Sequence, residues 1–395
     1  MLLTREFPPE VYGGAGVHVE YLARELAKRI DLEVRCFGEP RETPGVNAFS
    51  AWPELSDASS ALQTMSVDLR MAAHADGADI VHSHTWYTSF GGHLAKLLHG
   101  LPHVVTTHSL EPMRPWKTDQ LGAGGYALST FCERTGIESA DAVVAVSNAM
   151  RGDVMATYPQ VDPSLIEVVH NGIDTDQYQP DLSTDALLKH GIDPDLPTVL
   201  FVGRITRQKG IVHLLDAALE IAPEAQLVLC AGAPDEPEIE RATRERAAKV
   251  REHRNNVVWI EEMLPKPEVI QLLTHATVFC VPSIYEPLGI VNLESMACET
   301  PVVASAVGGI PEVVVDGETG LLVPVTLGAD GNPVDPARFA TDFANRVNEL
   351  LADPERAKRL GKAGRIRAVE EFSWGAIAEK TIALYERLIS ANRAV

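Results

Sequence analysis

Short apolar runs alternate with stretches of helical spacing along nearly all of this 395-residue chain. In the first half, strands are expected at residues 33–37, 79–84, 103–108, 142–146 and 166–170, and Leu2-Leu3 opens a very short one. Apolar positions three and four apart predict helices over 16–29, 61–75, 90–99 and 126–138. The second half repeats the pattern, with strands at 199–202, 226–230, 257–260, 278–281, 302–304 and 320–323. Helices are expected at 212–222, 237–253, 268–275, 290–297, 336–351 and 354–371, and a last one runs from about Trp374 to Ala391. Alternation of this kind implies parallel sheets wrapped by helices, and the length exceeds what one core holds, so two doubly wound α/β domains are expected. The polar stretch 174–197, with prolines at 180, 194 and 197, reads as the linker.

Composition narrows the function. Apolar residues are 45% and charged residues 23%, ordinary for a globular protein. No apolar run approaches a membrane span, and the start has neither the basic flank nor the apolar core of a secretory signal, so a cytoplasmic location is expected. The five cysteines are scattered in strand-like runs and read as buried, reduced thiols. A net charge of −21 disfavours nucleic acid and anionic membrane as partners. Bases clustered beside a glycine turn are therefore informative.

One such cluster is Gly203-Arg204-Ile205-Thr206-Arg207-Gln208-Lys209-Gly210, placed just after a predicted strand. It lacks the G-K-[ST] order of an NTPase loop, but Arg204 can grip phosphate oxygens bidentately and Lys209 can add a point charge. A second glycine turn, Gly13, Gly14 and Gly16, opens the first long helix and lets backbone N–H groups approach an anion. Neither turn has the G-x-G-x-x-G spacing, which disfavours a dehydrogenase. The third feature is 282–294, a strand, loop and helix carrying Glu286 and Glu294. These carboxylates lie at most about 12 Å apart along a helix axis, which suits the two ends of one polar ligand. His82, His84 and His108 end strands of the first half, but no third ligand recurs at metal spacing. Neither metal nor cofactor is expected.

The segment from Glu286 to Glu294 resembles the E-x7-E motif of the retaining glycosyltransferases of family GT4. Gly13 to Gly16, His108, Gly203-Arg204 with Lys209, and Gly308 to Glu312 fall where that family has its matching segments. Arg5 to Glu10, Thr107 to Pro112 and Tyr285 to Glu294 are similar to its actinobacterial glycogen synthase branch, some members of which make α-maltose 1-phosphate from ADP-glucose and glucose 1-phosphate. The resemblance implies a GT-B fold, two Rossmann-like domains facing across a cleft. Residues 1–178 would form the acceptor-side domain, 179–372 the donor-nucleotide domain, and 373–395 a helix crossing back. It also implies α-glucosyl transfer with retention, from ADP-glucose to an α-glucan or to glucose 1-phosphate, without a metal.

Carried over by position, Arg204 and Lys209 would bind the donor pyrophosphate, and Glu286 with the backbone N–H groups of Leu288 and Gly289 would hold the glucose. Glu294 would take the ribose hydroxyls and His108 would contact the sugar near the reaction centre. Gly13, Gly14 and Gly16 complete the donor set, and Thr85, Trp86 and Arg114 are the acceptor candidates. Many bacterial glucan synthases have His-Asp-Trp where this chain has His84-Thr85-Trp86, which mildly favours glucose 1-phosphate. A UDP- or GDP-sugar transferase and a non-transferase module such as an epimerase share the same motifs, and a homo-oligomer is compatible with them.

Overall fold

A computed structural model describes residues 1–393, so the final two residues of the expected 373–395 segment lie outside the described residues. The chain divides into two compact units, one comprising Met1–Gly172 and the segment from Trp374 onward, the other Ile173–Ser373.

The first unit holds seven parallel strands: β1 (Leu2–Leu3), β2 (Val34–Phe37), β3 (Val46–Phe49), β4 (Val81–His84), β5 (His103–Thr107), β6 (Ala142–Ala145) and β7 (Ile166–Val168). Their order is β3-β2-β1-β4-β5-β6-β7. Its helices are α1 (Gly14–Leu26), α2 (Ser60–Ala73), α3 (Trp86–His99), α4 (Lys117–Ser139), α5 (Asn148–Thr157) and the last helix, α14 (Trp374–Arg393). Strand order reverses between β1 and β4, so a crevice opens at their carboxyl ends, where doubly wound sheets bind ligands. Helix α14 belongs here because its apolar face is consumed in this core. The Trp374 ring stacks on Tyr21 at 5.8 Å, and Ile377, Ala378 and Leu384 are buried with it.

The second unit contains β8 (Thr198–Arg204), β9 (Gln226–Gly232), β10 (Val257–Ile260), β11 (Val278–Val281), β12 (Val302–Ser305) and β13 (Gly320–Val323), in the order β10-β9-β8-β11-β12-β13. The helices are α6 (Asp185–Lys189), α7 (Ile211–Ala217), α8 (Pro237–His253), α9 (Lys266–His275), α10 (Ile290–Ala297), α11 (Ile310–Val313), α12 (Pro336–Ala352) and α13 (Pro354–Glu371). Near-continuous apolar strands such as Val199-Leu200-Phe201 are what burial on both faces demands. Local signals set the ends: Asp335 and Asp353 cap α12 and α13 by accepting from the N–H groups of Arg338 and Arg356, with proline at the first turn of each. This sheet reverses between β8 and β11.

Four expectations are corrected. The stretch 174–197 is not a linker: it carries α6, buries Leu187 and Ile192, and belongs to the second unit from Ile173 onward. Its polarity comes from turns around those few anchors. Helix α4 begins at Lys117, ahead of the expected 126, with a non-helical break at Gly122. β3 was missed because its residues are only partly buried, and α5 because it follows its strand after the two-residue turn Val146-Ser147, with Ser147 capping it.

All five cysteines are free and buried. Phe343 on α12 is 1% exposed against the second sheet, and Phe343→Ala is expected to lower that unit's stability by about 3–5 kcal/mol, read by chemical denaturation.

Candidate active site

In the second unit, the loops after β8, β11 and β12 meet at the reversal of strand order. Lys209 Nζ lies 2.6 Å from Glu286 Oε2, and Ser283 Oγ donates to the same oxygen at 3.3 Å. Glu286 is only 7% exposed, and Lys209 is the cation paired with it there. Thr206 holds the lysine in place by accepting from the Lys209 N–H. The loops are fastened to one another by backbone bonds, from Ile284 N–H to the Gln208 carbonyl at 2.9 Å and from Gly309 N–H to the Glu286 carbonyl at 3.0 Å. Gly210 (φ +64°) and Gly308 (φ +53°) are required twice over, by backbone conformation and because a methyl group would run into the carbonyls of Pro282 and Glu286.

Helix α10 starts after Gly289 (φ +91°), whose carbonyl accepts from the buried Asn292 side chain at 3.1 Å. Glu294 faces the Tyr178 hydroxyl, which donates to Oε1 at 2.9 Å. Burial raises the Glu294 pKa, and the Tyr178 bond opposes the rise. Arg204 ends β8, half-buried, and Arg207 is paired with Glu236 at 3.0 Å. The structure therefore brings Lys209 and Glu286 into contact and sets Arg204, Leu288, Gly289 and Glu294 on the same loops and helix. Tyr178 was not singled out from sequence because it reaches Glu294 across the fold, whereas Ser283 and Thr206 each act three residues along, a cap-like spacing that the sequence does carry.

In the first unit, the glycine turn already holds an anion of its own. Glu6 Oε2 accepts from Tyr12 N–H at 2.9 Å and from Gly13 N–H at 2.7 Å. Gly16 packs against the same carboxylate so closely that a side chain would strike it. The turn does bind a carboxylate through its amides, but its occupant is Glu6, and a donor phosphate would have to displace it from Gly13. Gly14 has open space beside it.

Beside that turn lies a cluster of histidines. His18 on α1, His84 at the end of β4 and His108 after β5 place one nitrogen each within 4.8 Å of one another. His18 is the third member that spacing did not supply, hidden because it occupies a core-facing position of an amphipathic helix. His84 Nδ1 lies 3.0 Å from His108 Nε2. His82 behind them bonds the Tyr385 hydroxyl at 2.5 Å and Thr106 Oγ1 at 2.6 Å. Burial first, and neighbouring rings second, push His82, His84 and His108 well below the usual imidazole range; burial takes His18 to about 4, with Asn171 pulling the other way. All four are neutral at physiological pH. The ring set could hold a cation, but His84 and His108 share a proton across their contact, and three-fold ligation would require displacing it.

Among the acceptor candidates, Thr85 adopts φ +64°, ψ 173°, a conformation costing a β-branched residue about 1–3 kcal/mol, and such strain gathers at functional turns. Trp86 is 2% exposed and packs with Ala61 and Cys132, so it is core and offers an acceptor no surface. Arg114 is ion-paired with the fully buried Glu111, which matches its charge inside the loop rather than presenting it. That loop is pinned by Glu133: both its oxygens accept from Glu111 N–H, and Tyr158 donates to Oε1 at 2.5 Å.

Two parallel α/β units of reversed strand order, each with its candidate site at the reversal, suit a transferase of the GT-B architecture. Residues 12–177 match the model of Glycosyltransferase Family 4, and 187–367 match that of Glycosyl transferases group 1. The chain belongs to the family 4 glycosyltransferases. It is 53% identical to alpha-maltose-1-phosphate synthase of Mycolicibacterium smegmatis over 98% of both chains. The enzyme of that name from Mycobacterium tuberculosis is 51% identical, again over 98% of each. Among solved structures, sucrose-phosphate synthase from Thermosynechococcus elongatus superposes with a TM-score of 0.82 at 28% identity, covering 99% of this chain and 98% of that one.

Burial, and then the nearby Glu111, raise Glu133 from 4.5 to about 8. A folded pKa above the unfolded one means the group's contribution is whole below pH 4.5 and is lost as pH climbs to about 8. Denaturation across that range should show the native protein losing stability relative to Glu133→Gln, whose amide stays neutral.

Proposed function

We propose that this protein transfers an α-glucosyl group from ADP-glucose to the 4-hydroxyl of glucose 1-phosphate, with retention, giving α-maltose 1-phosphate. The observation that carries the reading is the Lys209–Glu286 pair at the strand reversal of the second unit, 2.6 Å long, with Glu294 held by Tyr178 on the following helix. The acceptor follows the relatives, at 53% and 51% identity, whose names specify maltose 1-phosphate as the product.

In this reading Arg204 and Lys209 take the donor pyrophosphate. The bond from the anomeric carbon to the phosphate oxygen breaks, its electron pair leaves on ADP, and the acceptor oxygen bonds to the same carbon while its proton passes to the departing phosphate side. Positive charge grows on the sugar and negative charge on the phosphate, so fixed cations on the phosphate side are the main electrostatic lever. Glu286, with the N–H groups of Leu288 and Gly289, holds the sugar hydroxyls, and its charge suits an electron-poor ring. Lys209, now on Glu286, is the cation an incoming phosphate would share. Glu294 keeps Oε2 for the ribose while Tyr178 occupies Oε1, and His108 contacts the sugar. The chemistry described needs no metal, and a cytoplasmic setting fits a nucleotide-sugar donor.

Nucleotide release measured with ADP-, UDP- and GDP-glucose, each with glucose 1-phosphate or glycogen, tests the proposal. ADP and a disaccharide phosphate are expected. Preference for UDP or GDP overturns the donor, and polymer growth in place of disaccharide phosphate overturns the acceptor. Lys209→Ala and Glu286→Ala should each lose about 10²–10³-fold in turnover with the circular dichroism spectrum kept. Full turnover in both would put the chemistry elsewhere.

A further inference from the structure

Two neutral imidazoles in contact share one proton, and the rest of the cluster decides which ring supplies it. His84 is 1% exposed and meets His108 only through Nδ1; no partner reaches its Nε2 among the described residues. Two proton placements satisfy the 3.0 Å contact. If His108 donated from Nε2, His84 would carry its own proton on Nε2, leaving a buried N–H without an acceptor. If His84 donates from Nδ1, the orphaned atom is a bare nitrogen lone pair. An unmet buried donor is the rarer and more costly state, so the second placement prevails.

We infer that His84 is a positioning residue that fixes His108 as the tautomer protonated on Nδ1, so that His108 presents an N–H donor, not a lone pair, to a hydroxyl of the transferred sugar. The inference rests on the proposed transfer only for the identity of that hydroxyl. The proton placement itself follows from the first unit alone. His82 supports the arrangement from behind, since both its nitrogens are occupied by Tyr385 and Thr106 and neither is free to relieve His84. The His82 and His84 ring centroids lie 4.4 Å apart, so His82 packs on the His84 ring as well. A donor at His108 is also selective: it requires a substrate group that can accept, and a sugar hydroxyl does so while keeping its own proton for a second bond.

The test is a proton–nitrogen correlation spectrum of the full-length protein with isotope-labelled histidine near neutral pH and no sugar nucleotide, His108 being assigned by its loss in His108→Ala. Protonated Nδ1 and bare Nε2 on His108 are expected; protonated Nε2 overturns the inference whatever the reaction proves to be. In kinetics, His84→Leu should lower kcat about tenfold, the value of one well-placed hydrogen bond, with donor KM little changed and His108 in mixed tautomers. His84→Asn, which keeps an N–H donor, should restore most of that loss. Unchanged kcat in His84→Leu overturns the positioning role. Should His84→Leu fail to fold, the native spectrum and His84→Asn still decide. The proposed sugar contact fails separately, if His108→Ala transfers glucose at the native rate while the native tautomer is as expected.

Discussion

A carboxylate at 7% exposure beside a single lysine is the constraint on which the second unit's site depends. Glu286 is held by Lys209 and Ser283, its carbonyl accepts from Gly309, and the preceding Ile284 is tied to Gln208. Three loops from three strands are thereby fastened around one charge. Removing either partner of such a pair leaves the other buried and unmatched, typically about 3–5 kcal/mol. Gly210 and Gly308 have no freedom to vary, since their backbones press on the carbonyls of Pro282 and Glu286. In a chain of net charge −21, an exposed lysine would be a weak attractor for an anion. Fixed against a buried acid at a strand reversal, Lys209 holds its charge at one place.

Much of this was legible because it is local. The strand, loop and helix at 282–294 follow from breakers and propensities; α10 begins and ends at the residues expected, 290 and 297. Arg204 and Lys209 stood out against an acidic background. What was not legible depends on strand order. His18 meets His84 and His108 because α1 returns beside β1, and β1 lies next to β4. Nothing in a one-dimensional spacing carries that adjacency, and His18 looks like any buried position of an amphipathic helix. Glu6 was overlooked for a similar reason: its ligands are backbone amides, which leave no mark in composition. The misread linker shows the converse, since polar turns outnumber the buried Tyr178, Ala186, Leu187 and Ile192 in any count of residues.

The two units share a strand order and differ in what they place at its reversal. The second fixes a cation against an acid. The first keeps its rings uncharged, because burial holds His18, His82, His84 and His108 below the range in which imidazole protonates. Under the proposed chemistry that difference has a physical basis. The transferred sugar becomes electron-poor, and an imidazolium against it would raise the barrier by Coulomb repulsion, strongly so where the dielectric is low. A neutral ring that still donates a hydrogen bond avoids the repulsion while keeping the orientation. Burial is what makes that state persist, since a histidine at the surface would be partly cationic near neutral pH. The Tyr21 and Trp374 rings and the Tyr385 hydroxyl, two of them from α14, help keep water from the cluster. A helix taken from the far end of the chain thus adds to the burial around His18 and His82, which burial and the neighbouring rings keep uncharged.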